Sequence, residues 1–133
     1  MQYVIAYIAT AVVFLGLDYV WLAHIARQIF VERIGHLLLD QPKMVAAAGF
    51  YLVYVVGIVF FAISPALKAN APGTATLYGA LFGFFCYATY EMTNHATLKD
   101  WPVSMVAIDV AWGTFLTGLA ATAGYFAAQI FAR

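Results

Sequence analysis

Long apolar stretches joined by short polar ones make up almost the whole chain. Four of them are long enough for a helix to cross a hydrocarbon core, which takes about 20 residues. They lie at about residues 3–25, 44–64, 76–95 and 103–131. The pattern predicts an all-α membrane protein, a bundle of four transmembrane helices that forms one domain over residues 1–133.

The connections between these stretches differ in character. Over residues 27–41, apolar residues recur near helical spacing with charged residues between them. This favours a short amphipathic helix lying in the membrane interface; a polar loop without membrane contact is the alternative. Pro65, Pro72 and Gly73 mark a short loop between the second and third stretches.

Composition supports the membrane assignment and excludes several other classes. Hydrophobic residues make up 65% of the chain and charged residues 9%, whereas soluble domains carry about a quarter charged residues. The formal net charge is zero, so no basic surface for nucleic acid is expected. A single cysteine, Cys86, cannot form an internal disulfide. The N-terminus lacks a basic region and a cleavage site, which favours a retained first span.

The basic residues predict the orientation in the membrane. Arg27, Arg33, Lys43 and Lys99 fall on one side of the predicted bundle, and Lys68 and Arg133 fall on the other. Because basic residues are enriched in cytoplasmic loops, both termini are expected outside and the 27–43 segment in the cytoplasm.

Three acidic residues within the apolar stretches are expected at one depth. Asp18 precedes Arg27 by nine positions, Glu91 precedes Lys99 by eight, and Asp109 follows Asp100 by nine. At 1.5 Å per residue, each acid lies roughly 12–14 Å from a polar end on the same side of the membrane. Since acids at membrane depth are costly and rare, their convergence predicts a functional site.

Helical spacing brings further residues beside these acids. The predicted pocket consists of acids, aromatic rings and polar side chains from three spans: Asp18, Trp21, Tyr87, Glu91, Asn94, His95, Asp109 and Trp112. Thr97 and Trp101 are expected at its mouth. Gly79-x-x-x-Gly83 continues the Glu91 face and indicates close helix packing. Asp-x-x-Trp occurs at Asp18 and again at Asp109, a weak indication of an internal repeat.

The chemistry of this set leaves three alternatives open. The carboxylates could exchange protons, or Asp18, Glu91, His95 and Asp109 could hold a metal ion. They could instead only hydrogen-bond to neighbouring donors and fix the helix register. The sequence shows no nucleotide-binding, haem or zinc-finger signature, so the cofactor remains unknown.

The motifs resemble those of a bacterial family of small, four-span membrane proteins of unknown function. The matching residues are Asp18-x-x-Trp21, Glu91-x-x-Asn94-x-Ala-Thr97-Leu-x-x-Trp101 and Asp109-x-x-Trp112-Gly113. The resemblance covers almost the whole chain and implies the bacterial inner membrane. Members are often encoded beside lipid-modifying genes, so the resemblance favours a lipidic ligand.

Three functions are therefore considered. The first is binding or transport of a small, lipid-like ligand, with a homodimer completing the path if the protein transports. The second is a membrane lipid-modifying enzyme that uses Glu91 or Asp109 with His95 as acid and base. The third is an accessory subunit of a larger complex, in which the polar residues only secure helix packing.

Overall fold

Four long helices account for nearly all of the chain in the computed structural model, which describes residues 1–132. They are α1 (Gln2–Leu37), α2 (Met44–Ala69), α3 (Pro72–Thr97) and α4 (Val103–Phe131). No strand occurs within residues 1–132. Arg133, whose side of the membrane the sequence analysis assigned, lies outside the described residues.

The first helix runs further than the sequence pattern predicts. A separate amphipathic helix was expected over residues 27–41, but α1 continues without a break to Leu37. A π turn over Trp21–Ile25 joins its two parts, with the Ala26 N–H donating to the Trp21 carbonyl. The turn keeps the backbone hydrogen-bonded, so no loop is needed after the apolar stretch.

The second helix also has a π turn, and this explains the position of Pro65. The sequence placed Pro65 in the loop, but α2 continues through it to Ala69. Proline lacks the N–H that would bond to the preceding turn. The π turn Val59–Ile63 ends two residues before Pro65 and accommodates the missing bond. The chain then reverses at Asn70, which adopts a left-handed conformation with φ 52°.

The prediction of an all-α membrane bundle is confirmed. By length and composition, α1, α2 and α4 could each cross a membrane. The remaining helix, α3, has 26 residues, roughly 39 Å of rise, and packs along α4. Its composition is less apolar because its last three turns contain Glu91, Asn94 and His95.

Small residues bring α3 and α4 into close contact. A Cβ atom added to Gly79 would lie 2.6 Å from the Ala121 Cβ, and one added to Gly83 would lie 2.7 Å from the Thr117 Cβ. Both distances are too short for real side chains, so these positions need glycine. This close packing fixes α3 against α4 and thereby sets the position of Glu91, two turns beyond Gly83.

Candidate functional site

Asp18 lies on α1 just before the π turn and is almost fully buried, with 4% of its surface exposed. The Trp112 indole N–H of α4 donates to Asp18 Oδ1 at 3.1 Å. The Tyr51 side chain of α2 lies beside the same carboxyl group. Such neighbours replace part of the hydration that a buried carboxyl group loses. Asp18 therefore contacts two other helices from inside the bundle.

The two Asp-x-x-Trp segments meet through their tryptophans. The rings of Trp21 and Trp112 stack with centroids 4.6 Å apart and planes 9° from parallel. Trp112 bonds to Asp18, the acid of the other segment. The Trp21 Nε1 atom is buried and has no hydrogen-bond partner among the described residues. The stacked tryptophan rings thus help to hold the Asp18 carboxyl group in position.

Glu91, on the last part of α3, is 2% exposed. The Trp101 indole N–H, from the loop between α3 and α4, donates to Glu91 Oε1 at 3.0 Å. His95 holds the same loop, since its Nδ1 lies 2.7 Å from the Trp101 carbonyl oxygen. That geometry requires the proton on Nδ1. His95 is therefore a positioning residue for Trp101 and does not contact Glu91 through this nitrogen.

Asp109, on α4, is 9% exposed. Of the three carboxyl groups, it has the fewest neighbouring groups that replace the hydration lost on burial. Its side-chain partner is the carboxyl group of Glu91, with Asp18 also nearby. Two carboxyl groups can share a hydrogen bond only when one of them carries a proton. Within residues 1–132, no Lys, Arg or His forms an ion pair with Asp18, Glu91 or Asp109.

These three acids line one cavity of about 570 Å³. Its volume is in the range of small-molecule sites in proteins. All four helices contribute to the wall, which is mostly apolar and aromatic apart from the acids. The other described lining residues are Leu22, Phe30, Ile34, Leu37, Leu38, Phe50, Tyr51, Tyr54, Cys86, Tyr87, Tyr90, Trp101 and Met105.

Sequence reasoning missed much of the aromatic wall. Tyr87 was expected there, but Tyr51, Tyr54 and Tyr90 were not. Tyr51 and Tyr54 are one turn apart on α2. This helix has no acidic residue that would indicate a polar site in the sequence. Their spacing was a usable signal, because residues three apart share a helix face.

The apolar residues of the predicted amphipathic segment also contribute to the cavity. Phe30, Ile34, Leu37 and Leu38 line it, and Ile34 is only 4% exposed. Two contacts hold this segment to the loop between α3 and α4 and to the start of α4. His36 Nε2 lies 3.0 Å from Asp100 Oδ2, and Arg33 Nε donates to Ser104 Oγ at 3.1 Å. The segment therefore covers one side of the cavity.

Several residues of the predicted pocket lie elsewhere. Trp21, Trp112, Asn94, His95 and Thr97 are not among the described lining residues, although Trp101 is. Thr97 donates to the Thr93 carbonyl of its own helix at 2.7 Å. No group of three or more His, Cys, Asp or Glu side chains within residues 1–132 is arranged to hold a metal ion. The metal set of Asp18, Glu91, His95 and Asp109 is thus not assembled.

A four-helix bundle with acids around an internal cavity defines a small multi-pass membrane protein with a buried polar site. The chain belongs to the family of predicted membrane proteins designated DUF2177, whose profile matches residues 3–126. The resemblance stated from the motifs is thereby confirmed, and the function of the family is unknown. No curated protein and no solved structure matches the chain.

Proposed function

We propose that this protein binds a small amphipathic ligand in the cavity and exchanges protons through its carboxyl groups as the ligand enters and leaves. The apolar and aromatic wall suits the apolar part of such a ligand, and the three acids suit a polar part. Transport would follow if the loaded cavity opened in turn to each side of the membrane.

The observation that carries the proposal is the Asp109 carboxyl group. It is nine-tenths buried, lines the cavity, and has another carboxyl group as its side-chain partner. Burying a carboxyl group without a cation or several donors is costly, and a purely structural role would favour an apolar side chain there. A group kept in this state is suited to receive a ligand or a proton.

The orientation expected from the sequence forms part of the proposal. Arg27, Arg33, Lys43 and Lys99 lie at the end of the bundle that contains the cavity, and Lys68 lies at the other end. In the bacterial inner membrane, this distribution supports a cytoplasmic cavity and external termini. If the protein transports its ligand, the contact between two bundles in a homodimer would provide the rest of the path, because the cavity lies towards one end of a single bundle.

The enzyme alternative receives less support from the geometry. It requires His95 to act with Glu91 or Asp109 as acid and base. His95 instead bonds to the Trp101 carbonyl and is not among the described lining residues.

Cys86 provides a direct test of binding. It is the single cysteine of the chain and lines the cavity, so a bound molecule should shield its thiol from N-ethylmaleimide. Protein in lipid nanodiscs is alkylated with and without tetraphenylphosphonium, triphenylmethanol or tetraphenylborate. We expect at least one of these probes to slow alkylation severalfold in the native protein, and none to do so in Glu91→Gln.

The substitution is chosen to leave the loop intact. Glutamine keeps an oxygen that can accept the Trp101 N–H but cannot exchange a proton. The matched control is Glu32→Gln, an exposed residue that bonds only to Gln28 of its own helix, at 3.3 Å. This control should be protected like the native protein. Lack of protection of native protein by all three probes would contradict the proposal. Full protection of Glu91→Gln together with a lower unfolding temperature would indicate a packing role instead.

A further inference from the structure

We infer that the ligand is an amphipathic cation: an ammonium-type group, placed against Asp109 and Glu91, joined to an apolar body that lies along the tyrosine-rich wall. This inference rests on the proposed function and specifies the chemical class of the ligand. It excludes anionic lipids, such as phospholipids with a net negative headgroup, as the preferred occupants.

The charge of the lining is the first argument. Among the described lining residues, three carry carboxyl groups and none is Lys, Arg or His. Three basic residues at this end bond to groups other than the three acids: His36 to Asp100, Arg33 to Ser104, and His95 to the Trp101 carbonyl. An anionic group in the cavity would meet like charges with no cation to offset them, whereas a cation would meet complementary ones.

The buried Asp109 is the second argument. Its carboxyl group lies beside Glu91 and near Asp18, Tyr51, Tyr87 and Tyr90, and these neighbours include no positively charged side chain. A bound cation would supply the missing partner. Because a positive charge stabilises the ionised form of a neighbouring carboxyl group, binding of the cation favours release of the shared proton to water.

The aromatic wall is the third argument. Tyr51, Tyr54, Tyr87 and Tyr90 line the cavity together with Trp101. Tyr90 and Trp101 stand edge to face, with centroids 6.1 Å apart and planes at 88°. Tyrosine and tryptophan faces attract organic cations through their ring quadrupoles, most strongly where water is excluded. Carboxyl groups and aromatic faces around one space are the elements that recognise such cations.

The apolar lining accounts for the rest of the ligand. Phe30, Ile34 and Phe50 line the same space and offer no hydrogen bond from their side chains. A small hydrophilic amine would leave this surface without a partner. The geometry therefore favours a cation that carries an apolar body.

Three probes of similar shape and different charge test the inference. Tetraphenylphosphonium is cationic, triphenylmethanol is neutral and tetraphenylborate is anionic, and binding is measured by equilibrium dialysis of protein in nanodiscs. We expect the cation to bind at least about tenfold more tightly than the other two, and Asp109→Asn to weaken it at least about tenfold. A pH-sensitive dye in weak buffer should report protons released on addition of the cation.

Asp40→Asn is the matched control, because Asp40 is exposed in the loop after α1 and should leave binding unchanged. Equal binding of the neutral or anionic probe, or an unchanged cation affinity in Asp109→Asn, would overturn the inference while leaving the binding function intact. Failure of all three probes to bind the native protein would overturn both. Circular dichroism of Asp109→Asn verifies that it folds, and Glu91→Gln provides a second variant if it does not.

Discussion

The two ends of this bundle differ in how closely the helices pack around their polar groups. At the end away from the cavity, Gly79 and Gly83 bring α3 against α4, and Gly124 brings α4 against α1. Between this end and the cavity, Thr117, fully buried on α4, bonds at 2.9 Å to the hydroxyl of Tyr54, whose side chain also lines the cavity. At the cavity end, the acids face open space and have few donors. One end is therefore closely packed, and the other leaves acidic side chains beside open space.

Tyr87 links the two regions. Its ring packs directly on Gly113, where any Cβ atom would collide with it, and the same side chain lines the cavity. The shape of the cavity therefore depends on close packing elsewhere along α3 and α4. Close packing at one end stabilises the fold and can offset the free-energy cost of burying acids at the other end. Buried acids are therefore tolerated in so small a protein.

The largest effect is expected from breaking the packed end. Gly83→Leu would place a side chain against the Thr117 side chain and the α4 backbone, and neither can move without separating the helices. We expect a loss of about 3 kcal/mol or more of unfolding free energy. Thermal unfolding in detergent, followed by circular dichroism, measures it.

The matched control for this variant is Gly16→Leu. Gly16 is exposed on α1, and a Cβ atom added there would meet nothing within 4 Å. Leucine also favours helix more than glycine does. The control should be as stable as the native protein. Equal losses in both variants would show that the α3–α4 contact has no special role in stability.

A second prediction compares a buried polar group whose partner is neutral with a buried acid of the cavity. Thr117→Val removes the partner of the buried Tyr54 hydroxyl and should cost about 1–2 kcal/mol. Asp109→Asn should cost less or even stabilise, because it removes a carboxyl group from a crowded acid pair. Thr89→Val, on an exposed residue that bonds only to the Phe85 carbonyl of its own helix, is the control. The contrast between the two groups fails if Asp109→Asn is the more destabilised variant.

The sequence could predict the helices because their signal is local. Apolar length predicted α4 over its full extent, and the basic residues gave a common depth for Asp18, Glu91 and Asp109, which line one cavity. Depth depends only on helical rise and on where the polar ends lie. Helix ends were less predictable, as Leu37 and Ala69 show, because π turns leave no clear sequence mark.

The side of each helix that faces the cavity was harder to predict than the depth. His95 shares a stripe with Glu91 on an ideal helix, but the Trp101 carbonyl binds its ring. Tyr51 and Tyr54 lie on the cavity side of α2 because of the fixed orientation of that helix about its own axis. Rotation is set by contacts between helices, and a single sequence does not contain those contacts explicitly.

The smallest effect on stability is expected from the contact between His36 and Asp100. His36 and Asp100 form an exposed pair, with 55% and 65% of their side chains accessible, so His36→Ala should cost less than about 1 kcal/mol. The same pair connects two parts of the cavity wall. One is the segment that carries Leu37 and Leu38, and the other is the loop that carries Trp101. Its loss should let that segment move away more often, and N-ethylmaleimide should then alkylate Cys86 faster in His36→Ala.

Gln28→Ala breaks another exposed contact, with Glu32 of the same helix, and should leave the alkylation rate unchanged. If His36→Ala lowers stability strongly and leaves the rate unchanged, the segment that carries His36 belongs to the closely packed part of the bundle. The difference between the two ends would then be confined to the surroundings of the three acids.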